Sequence, residues 1–158
     1  MKKTKEYPTC DDLVNRIFKT EISYNILLTD ITYLFYENNK KCYLYTIKDA
    51  ETNEILAYYI TENMTLDISL EIIKKLHRKR ELTLSEKVII HSDKGVHYTS
   101  PKFHNLLKKY NIQESMFRRD NYWNNAPLES YFGHMKDELN LDICSTFSDV
   151  CNEIKKIY

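Results

Sequence analysis

Hydrophobic residues follow two different spacings along this chain, and the change from one to the other predicts its secondary structure. In the first part, branched and aromatic residues form short runs separated by polar turns, which is typical of antiparallel strands. In the second part, apolar residues recur every three to four positions, which indicates amphipathic helices between shorter apolar strands. The predicted strands are 24–35, 40–47, 55–60, 87–92 and 112–116, and the predicted helices are 65–80, 101–111, 126–140 and 146–158.

The order of these elements predicts an α/β fold. Three antiparallel strands come first, and helices then alternate with two further strands, so we expect one mixed five-stranded sheet with flanking helices. Residues 1–22 are polar and mixed and are expected to form an N-terminal arm, which leaves 23–158 as the core domain. A chain of 158 residues is long enough for a single domain with its own hydrophobic core.

The composition is typical of a globular protein without a membrane segment. Hydrophobic residues make up 42% and charged residues 29%, and no apolar run is long enough to span a bilayer. The first residues lack the apolar stretch of a secretory signal, so we expect a cytoplasmic protein. Basic and acidic residues number 23 each, which argues against DNA binding by bulk electrostatics alone. The four cysteines have no CxxC spacing, which favours reduced, buried thiols over a zinc site.

Two segments concentrate residues that are rare elsewhere in the chain. They contain both glycines and the single tryptophan, and each contains one prominent carboxylate, Asp93 or Glu129. Asp93 directly follows an apolar strand, and open α/β sheets bind ligands at the carboxyl ends of their strands. Glu129 falls early in a predicted helix, and Lys136 lies two turns later on the same face. The spacing alone also fits a surface glutamate with a solvated lysine, so that alternative stays open.

Asp30 is the candidate for a third carboxylate at the same site. It lies in the middle of a predicted strand, where aspartate is disfavoured unless it has a specific role. Asp49 is the rival, but it opens a turn-rich segment, where aspartate is common for structural reasons. Three carboxylates suit two hard cations such as Mg²⁺, and such a pair of ions catalyses in-line displacement at phosphorus. The residues therefore predict metal-dependent phosphoryl transfer.

Several side chains near these carboxylates are candidates for contacts with DNA. Arg118 and Arg119 lie beside the segment that contains Trp123, where they suit a phosphate backbone, whereas the other basic runs are typical of solvated helix faces. His97 flanks Asp93 and fits local packing or a substrate contact better than metal ligation. The full set of candidates is His97, Arg118, Arg119, Trp123, Asn125 and Lys136.

Three motifs, in this order along the chain, resemble the integrase core of bacterial insertion-sequence DDE transposases of the OrfB type. The motifs are Thr29-Asp30-Ile31-Thr32-Tyr33, then His91-Ser92-Asp93 with Gly95 and Tyr98-Thr99-Ser100, then Asn125-Ala126-Pro127 with Glu129-Ser130, Phe132-Gly133 and Lys136. That family belongs to the retroviral integrase superfamily. The resemblance implies a ribonuclease H-like fold, a metal-binding triad of Asp30, Asp93 and Glu129, and two Mg²⁺ ions that Mn²⁺ can replace.

The resemblance also implies an activity and partners. The activity is cleavage at transposon ends, followed by attack of the freed 3′-hydroxyl on target DNA. The implied partners are both DNAs, further copies of the chain and an upstream helix-turn-helix protein or domain, with nucleoid association when DNA is bound. Because the family continues past the last helix, 23–158 are expected to be a C-terminally truncated core with weakened activity. The alternatives are an inactive transposase remnant that only associates with other subunits, and a stand-alone ribonuclease H-like nuclease.

Overall fold

The computed structural model of the chain describes residues 25–65, 67–80, 88–93, 96–116 and 126–158. Its strands are β1 (Asn25–Tyr36), β2 (Lys40–Asp49), β3 (Ile55–Thr61), β4 (Val88–Ser92) and β5 (Ile112–Met116). Its helices are α1 (Asp67–Arg80), α2 (Val96–Thr99), α3 (Pro101–Lys109), α4 (Ala126–Glu138) and α5 (Phe147–Ile157), with a 3₁₀ turn at Leu141–Ile143. The predicted strands and helices are confirmed with slightly shifted ends, and α2 is an addition to them. The predicted arm 1–22 and the predicted loop 118–125 lie outside the described residues.

The strands form one mixed sheet in the order β3-β2-β1-β4-β5. β1 pairs antiparallel with β2, and β2 pairs antiparallel with β3. β1 pairs in parallel with β4, which in turn pairs in parallel with β5. Parallel neighbours need a crossover connection, and α1 precedes β4 while α3 precedes β5 in this way. The first described strand of the chain therefore lies at the centre of the sheet.

Helices cover both faces of the sheet. Because successive side chains of a strand point to opposite faces, Leu27 packs in one hydrophobic cluster and Leu28 in the other. The helical part of the first cluster comes from α1, α2 and α3 and contains Ile68, Ile72, Ile73, Leu76, Tyr98, Phe103 and Leu107. The second cluster receives Phe132 and Met135 from α4, and Val150 and Ile154 from α5. None of the described helices is long and apolar enough to cross a membrane.

Side-chain caps fix where α3 and α5 begin. The Ser100 hydroxyl accepts a hydrogen bond from the Phe103 amide at 3.2 Å, and Pro101 takes the first position of α3, as the sequence predicts. At α5, the Thr146 hydroxyl accepts from the Asp149 amide at 3.2 Å, while the Asp149 carboxylate accepts from the Thr146 amide at 3.0 Å. Both helices therefore start with their first amides satisfied, and their apolar faces meet the sheet.

The hairpin of β1 and β2 extends beyond the other strands. β4 pairs with β1 as far as Leu28, and β3 pairs with β2 from Tyr43 onward. Residues 33–42 therefore form a two-stranded end, which we call the hairpin tip. Isolated two-stranded hairpins are at best marginally stable in water. One side of this tip is supported, because Leu34 and Cys42 are buried in the cluster that contains α5.

The three described cysteines are free thiols. Cys42 and Cys144 are buried and Cys151 is partly buried, which confirms the prediction for the first two, while Cys10 lies outside the described residues. Burial raises the pKa of Cys42 to about 12. This thiol is therefore protonated at neutral pH and contributes to the core as a small apolar side chain.

His97 ties α2 to the neighbouring helix and strand. Its backbone carbonyl accepts a hydrogen bond from the Ser69 hydroxyl of α1 at 2.9 Å, and its ring lies edge-on to Tyr45 of β2 with ring centroids 6.0 Å apart. The residue is 9% exposed. Burial lowers the pKa of His97 below its usual 6.5, while the charge of Asp93 and a hydrogen bond to the Thr65 backbone act in the opposite direction.

We expect Ile154→Ala to lower the free energy of unfolding by about 2–5 kcal/mol, because this buried side chain joins α5 to the sheet. Urea unfolding followed by circular dichroism measures the change. Lys155→Ala is the matched control, since its exposed side chain on the same helix should contribute no more than about 0.5 kcal/mol. A loss for Ile154→Ala as small as that of the control would contradict the packing of α5 against the sheet.

The lowered pKa of His97 predicts a pH-dependent stability. The unfolded residue titrates near 6.5 and the folded residue titrates lower. As the pH falls, the unfolded chain therefore takes up the proton first. The contribution of neutral His97 to the stability of the fold is fully present above about pH 6.5 and declines as the pH falls toward the folded pKa. We expect the wild type to have the higher thermal midpoint, and we expect its difference from His97→Gln to become smaller as the pH is lowered from about 7.5 to about 5.5. Differential scanning fluorimetry measures both midpoints, and a difference that grows on acidification would contradict the lowered pKa.

Candidate active site

Asp30 and Asp93 come from neighbouring positions on two paired strands. β1 and β4 run in parallel, and Leu28 lies opposite His91 at the last pair of their ladder. Asp30 lies two residues beyond Leu28, and Asp93 lies two residues beyond His91, directly after β4 ends at Ser92. Paired strands are about 4.7–4.9 Å apart, so this register brings the two backbone positions close together at the carboxyl end of β4.

The charges of both carboxylates affect the pKa of one buried tyrosine, Tyr98. Tyr98 of α2 is 2% exposed and packs edge-on against Phe103 with ring centroids 5.6 Å apart. Burial raises the pKa of the Tyr98 hydroxyl well above its usual range, and the charges of Asp30 and Asp93 act in the same direction. The Asp93 charge also adds to the effect of burial in raising the pKa of Tyr45. Both aspartates therefore lie within electrostatic reach of the same hydroxyl.

Asp30 is held at the surface of the sheet on the side of α4. It alternates with Leu28 and Leu34 along β1, so it shares their face. The side chain is partly buried, and its Oδ1 accepts a hydrogen bond from the Ile31 amide at 2.8 Å. This local bond orients the carboxylate, and Asp30 is not enclosed in the core as its apolar neighbours are.

Glu129 and Lys136 lie at the two ends of α4. Glu129 is in the first turn and Lys136 in the last turn, and both side chains are exposed. Phe132 and Met135 are buried in the cluster that contains Leu28 of β1, so they hold α4 against the face that carries Asp30. A glutamate in the first turn is also favoured by the partial positive charge at a helix N-terminus.

The register of β1 and β4 brings Asp30 and Asp93 to the same end of the sheet. Among the described residues, no three His, Cys, Asp or Glu side chains are grouped closely enough to hold a metal ion. Carboxylate oxygens are nevertheless the ligands that Mg²⁺ prefers, and Asp30 and Asp93 supply them at one end of the sheet. The donor chemistry of the two aspartates fits a divalent cation.

The predicted DNA contacts have mixed outcomes. His97 is 9% exposed, so its ring has little free surface for a direct contact with DNA, and its backbone carbonyl accepts a hydrogen bond from the Ser69 hydroxyl. Lys136 is exposed on α4 and remains available. Arg118, Arg119, Trp123 and Asn125 lie outside the described residues.

Asp49 has a structural task, in line with its rejection as a metal ligand. Its Oδ1 accepts hydrogen bonds from the amides of Glu51 and Thr52 at 2.8 and 2.9 Å. These bonds close the turn between β2 and β3, which is a common role for aspartate.

Lys48 is a residue near the site that sequence reasoning missed. It is 5% exposed and lies opposite Leu28 in the β1–β2 pairing, hence on the face that carries Asp30. Its Nζ lies 5.5 Å from the ring centroid of Tyr131 in α4, and burial lowers the pKa of the ammonium group. The signal available in the sequence is that Lys48 directly follows the mostly apolar run Cys42–Ile47 of β2.

Comparison with known proteins identifies relatives of this chain. Residues 21–121, more than half of the chain, match the family described as "Integrase core domain", and this range includes Asp30 and Asp93. An uncharacterized transposase-like protein of Haemophilus influenzae is 34% identical over 128 residues, covering 81% of this chain and 57% of that protein. The transposase for insertion sequence element IS904 of Lactococcus lactis is 30% identical over 132 residues, covering 81% and 49%. The chain thus spans about half the length of these relatives.

Solved structures share the fold of this chain. The HTLV-2 integrase catalytic core domain in complex with magnesium superposes with a TM-score of 0.65 at 20% identity, covering 85% of this chain and 82% of that one. The catalytic domain of Mos1 mariner transposase gives a TM-score of 0.69 at 17% identity, covering 92% and 75%. These similarities confirm the ribonuclease H-like fold. The match over residues 21–121 shows that the chain belongs to the integrase core domain family, with insertion-sequence transposases among its relatives.

Proposed function

We propose that this chain is the catalytic core of a DNA transposase, which cuts the ends of a mobile element and joins the freed 3′-hydroxyl to target DNA. The observation that carries the proposal is the adjacency of Asp30 and Asp93 at the carboxyl end of β4, in a chain of the integrase core family. Relatives named as transposases for insertion sequences support the substrate class. Because the chain covers about half of such a relative, the complete reaction is proposed for an assembly rather than for this segment alone.

The two aspartates suit divalent metal ions. Structures of related folds carry magnesium or manganese, including HTLV-2 integrase with magnesium and Mos1 transposase with either ion. When bound, two Mg²⁺ ions or their Mn²⁺ substitutes would lower the pKa of the attacking oxygen and stabilise the leaving oxygen during displacement at phosphorus. The hydrogen bond from the Ile31 amide orients the Asp30 carboxylate, which supports this assignment.

We propose Glu129 as the third ligand. Tyr131, two residues after Glu129, lies over Lys48, and Lys48 lies opposite Leu28, two residues before Asp30. The first turn of α4 is therefore close to the row of the sheet that carries Asp30. Three carboxylates repel one another unless cations lie between them. We infer that Glu129, whose side chain is exposed, approaches the two aspartates together with the metal ions.

Other side chains are proposed to bind and orient DNA. Lys136 lies on the exposed surface of α4 and carries a charge suited to a phosphate. Further candidates for contacts with the DNA are Arg118, Arg119, Trp123 and Asn125. The net charge of the chain is zero, so we propose that firm DNA binding depends on further copies of the chain and on an upstream helix-turn-helix domain or protein. One solved structure of a similar fold, Mos1 transposase, is a paired-end complex with a transposon end.

A strand-transfer assay tests this function, with the chain supplied together with the upstream helix-turn-helix protein, matched terminal repeats and Mg²⁺ or Mn²⁺. We expect Asp30→Asn, Asp93→Asn and Glu129→Gln each to lower the rate of joining by more than about 100-fold. Mutating residues that only hydrogen-bond to metal ligands already lowers metal affinity or activity by about 10–100-fold. Asp49→Asn is the matched control, because it removes the same charge from a residue whose task is to close a turn.

The possible outcomes separate the alternatives. Equal background for the wild type and the triad variants would contradict catalysis and favour the inactive remnant. Cleavage of DNA without joining, lost in the triad variants, would favour a stand-alone ribonuclease H-like nuclease. Loss of joining in Asp49→Asn to the same extent as in Asp93→Asn would contradict the assignment of the metal ligands.

A further inference from the structure

The hairpin tip carries exposed aromatic rings on the side that α5 does not cover. Tyr33 and Phe35 are 47% and 55% exposed. Across the hairpin, Tyr43 lies opposite Tyr33 and Lys41 lies opposite Phe35. We call these four residues the aromatic face. Large apolar side chains grouped on a surface mark an interaction site more often than single ones do.

The aromatic face is an ordered arrangement of rings around one cation. The rings of Tyr33 and Tyr43 meet edge-on with centroids 5.5 Å apart. The Lys41 Nζ lies 4.6 Å from the centroid of Tyr33 and 5.3 Å from that of Tyr43. Such contacts hold the ammonium group over the rings by cation–π attraction. The face therefore presents flat aromatic surface and a positive charge together.

The described carboxylates of this hairpin have partners away from the aromatic face. Glu37 in the turn pairs with Lys40 at 2.9 Å. Glu62, which follows β3, accepts a hydrogen bond from the Tyr36 hydroxyl at 2.7 Å, and Tyr36 points to the opposite side of the tip. Among the described residues, the ion pairs do not include Lys41. The face thus suits a ligand that combines flat rings with negative charge.

The aromatic face and Asp30 lie on opposite sides of β1, because residues an odd number of positions apart in a strand point to opposite faces of the sheet. Tyr33 lies three residues beyond Asp30 on β1, which corresponds to about 10 Å along a strand. Tyr45, two residues after Tyr43 on the same side of β2, lies within electrostatic reach of both Asp93 and Tyr33. A strand that leaves Asp93 would therefore pass the end of β4 and the edge of β1 beyond Leu28 to reach the face.

We propose that the aromatic face binds unpaired nucleotides of the DNA strand that leaves the active site, an inference that rests on the proposed function. Exposed rings stack on bases without regard to sequence, and a lysine beside them contacts the phosphates. A paired duplex hides its base faces, so the face distinguishes single-stranded from double-stranded DNA. It holds the strand next to the site of cleavage while the joining step proceeds.

Fluorescence anisotropy of a labelled oligo(dT), with a duplex of equal length for comparison, tests the proposal in EDTA. Metal-dependent cleavage then plays no part, so the result does not depend on the proposed catalysis. We expect Tyr33→Ala and Phe35→Ala each to weaken oligo(dT) binding by about five- to hundredfold, the range typical of one lost stacking contact, with little effect on the duplex. Tyr33→Phe and Phe35→Tyr keep the rings and should keep the affinity, and circular dichroism of each variant verifies its fold.

A salt titration provides a second, charge-specific readout. Lys41→Ala should reduce the slope of log affinity against log salt by about 0.7, as expected for one lost phosphate contact on a single strand. Lys40→Ala is the matched control, since Lys40 lies opposite Tyr36 on the other side of the same hairpin and pairs with Glu37. It should leave the slope unchanged.

The opposing results are equally defined. Oligo(dT) binding that is the same in the wild type and in both alanine variants would overturn the inference, even if strand transfer is observed. Ring-dependent binding in a chain that fails the strand-transfer assay would keep the inference and reject the proposed catalysis. If the alanine variants change the sedimentation of the chain from dimer to monomer and leave oligo(dT) binding intact, the face joins two copies of the chain and the inference is wrong.

Discussion

The parallel pairing of β1 with β4 is the constraint on which the rest of the site depends. β1 is also paired antiparallel with β2, so it is fixed on both sides before Asp30 is reached. The register pairs Leu28 with His91. Asp30 and Asp93 therefore lie next to each other, each two residues beyond this last pair. A shift of one residue would turn every side chain of the strand to the other face. Asp30 would then point toward the layer of α1, and Leu28 would lose its place beneath α4.

Like charges at this end of the sheet oppose the pairing that brings them together. Two neighbouring carboxylates raise each other's free energy unless a cation or hydrogen-bond donors offset the repulsion. The Ile31 amide satisfies part of Asp30, and the buried ammonium group of Lys48 adds positive charge to the same face of the sheet. Apolar packing on both faces of the sheet stabilises the fold and offsets this repulsion. The two aspartates therefore come from paired strands of the sheet, while Glu129 comes from a separate helix.

The sequence was sufficient for the elements and for the turn at Asp49, because both rest on local patterns. Strand alternation, the Ser100-Pro101 helix start and the turn chemistry at Asp49 involve residues close together in the chain. The pairing of β1 with β4 could not be predicted, since it joins segments about sixty residues apart through an apolar run with no preferred register. The burial of Lys48 and the exposure of Phe35 also depend on which helix covers which face. For the same reason His97, chosen as a DNA contact from its position beside Asp93, is instead mostly buried.

The geometry of the three carboxylates around a bound metal ion is the most direct test of the central claim. A crystal structure of the chain with Mn²⁺, with the ions located by anomalous scattering, measures it. We expect manganese within about 2.0–2.6 Å of oxygens from both Asp30 and Asp93, the range for hard cations on carboxylates, and Glu129 among the ligands of the site. Manganese bound elsewhere, or bound to the aspartates with Glu129 still turned to solvent in the presence of DNA, would contradict the proposed triad.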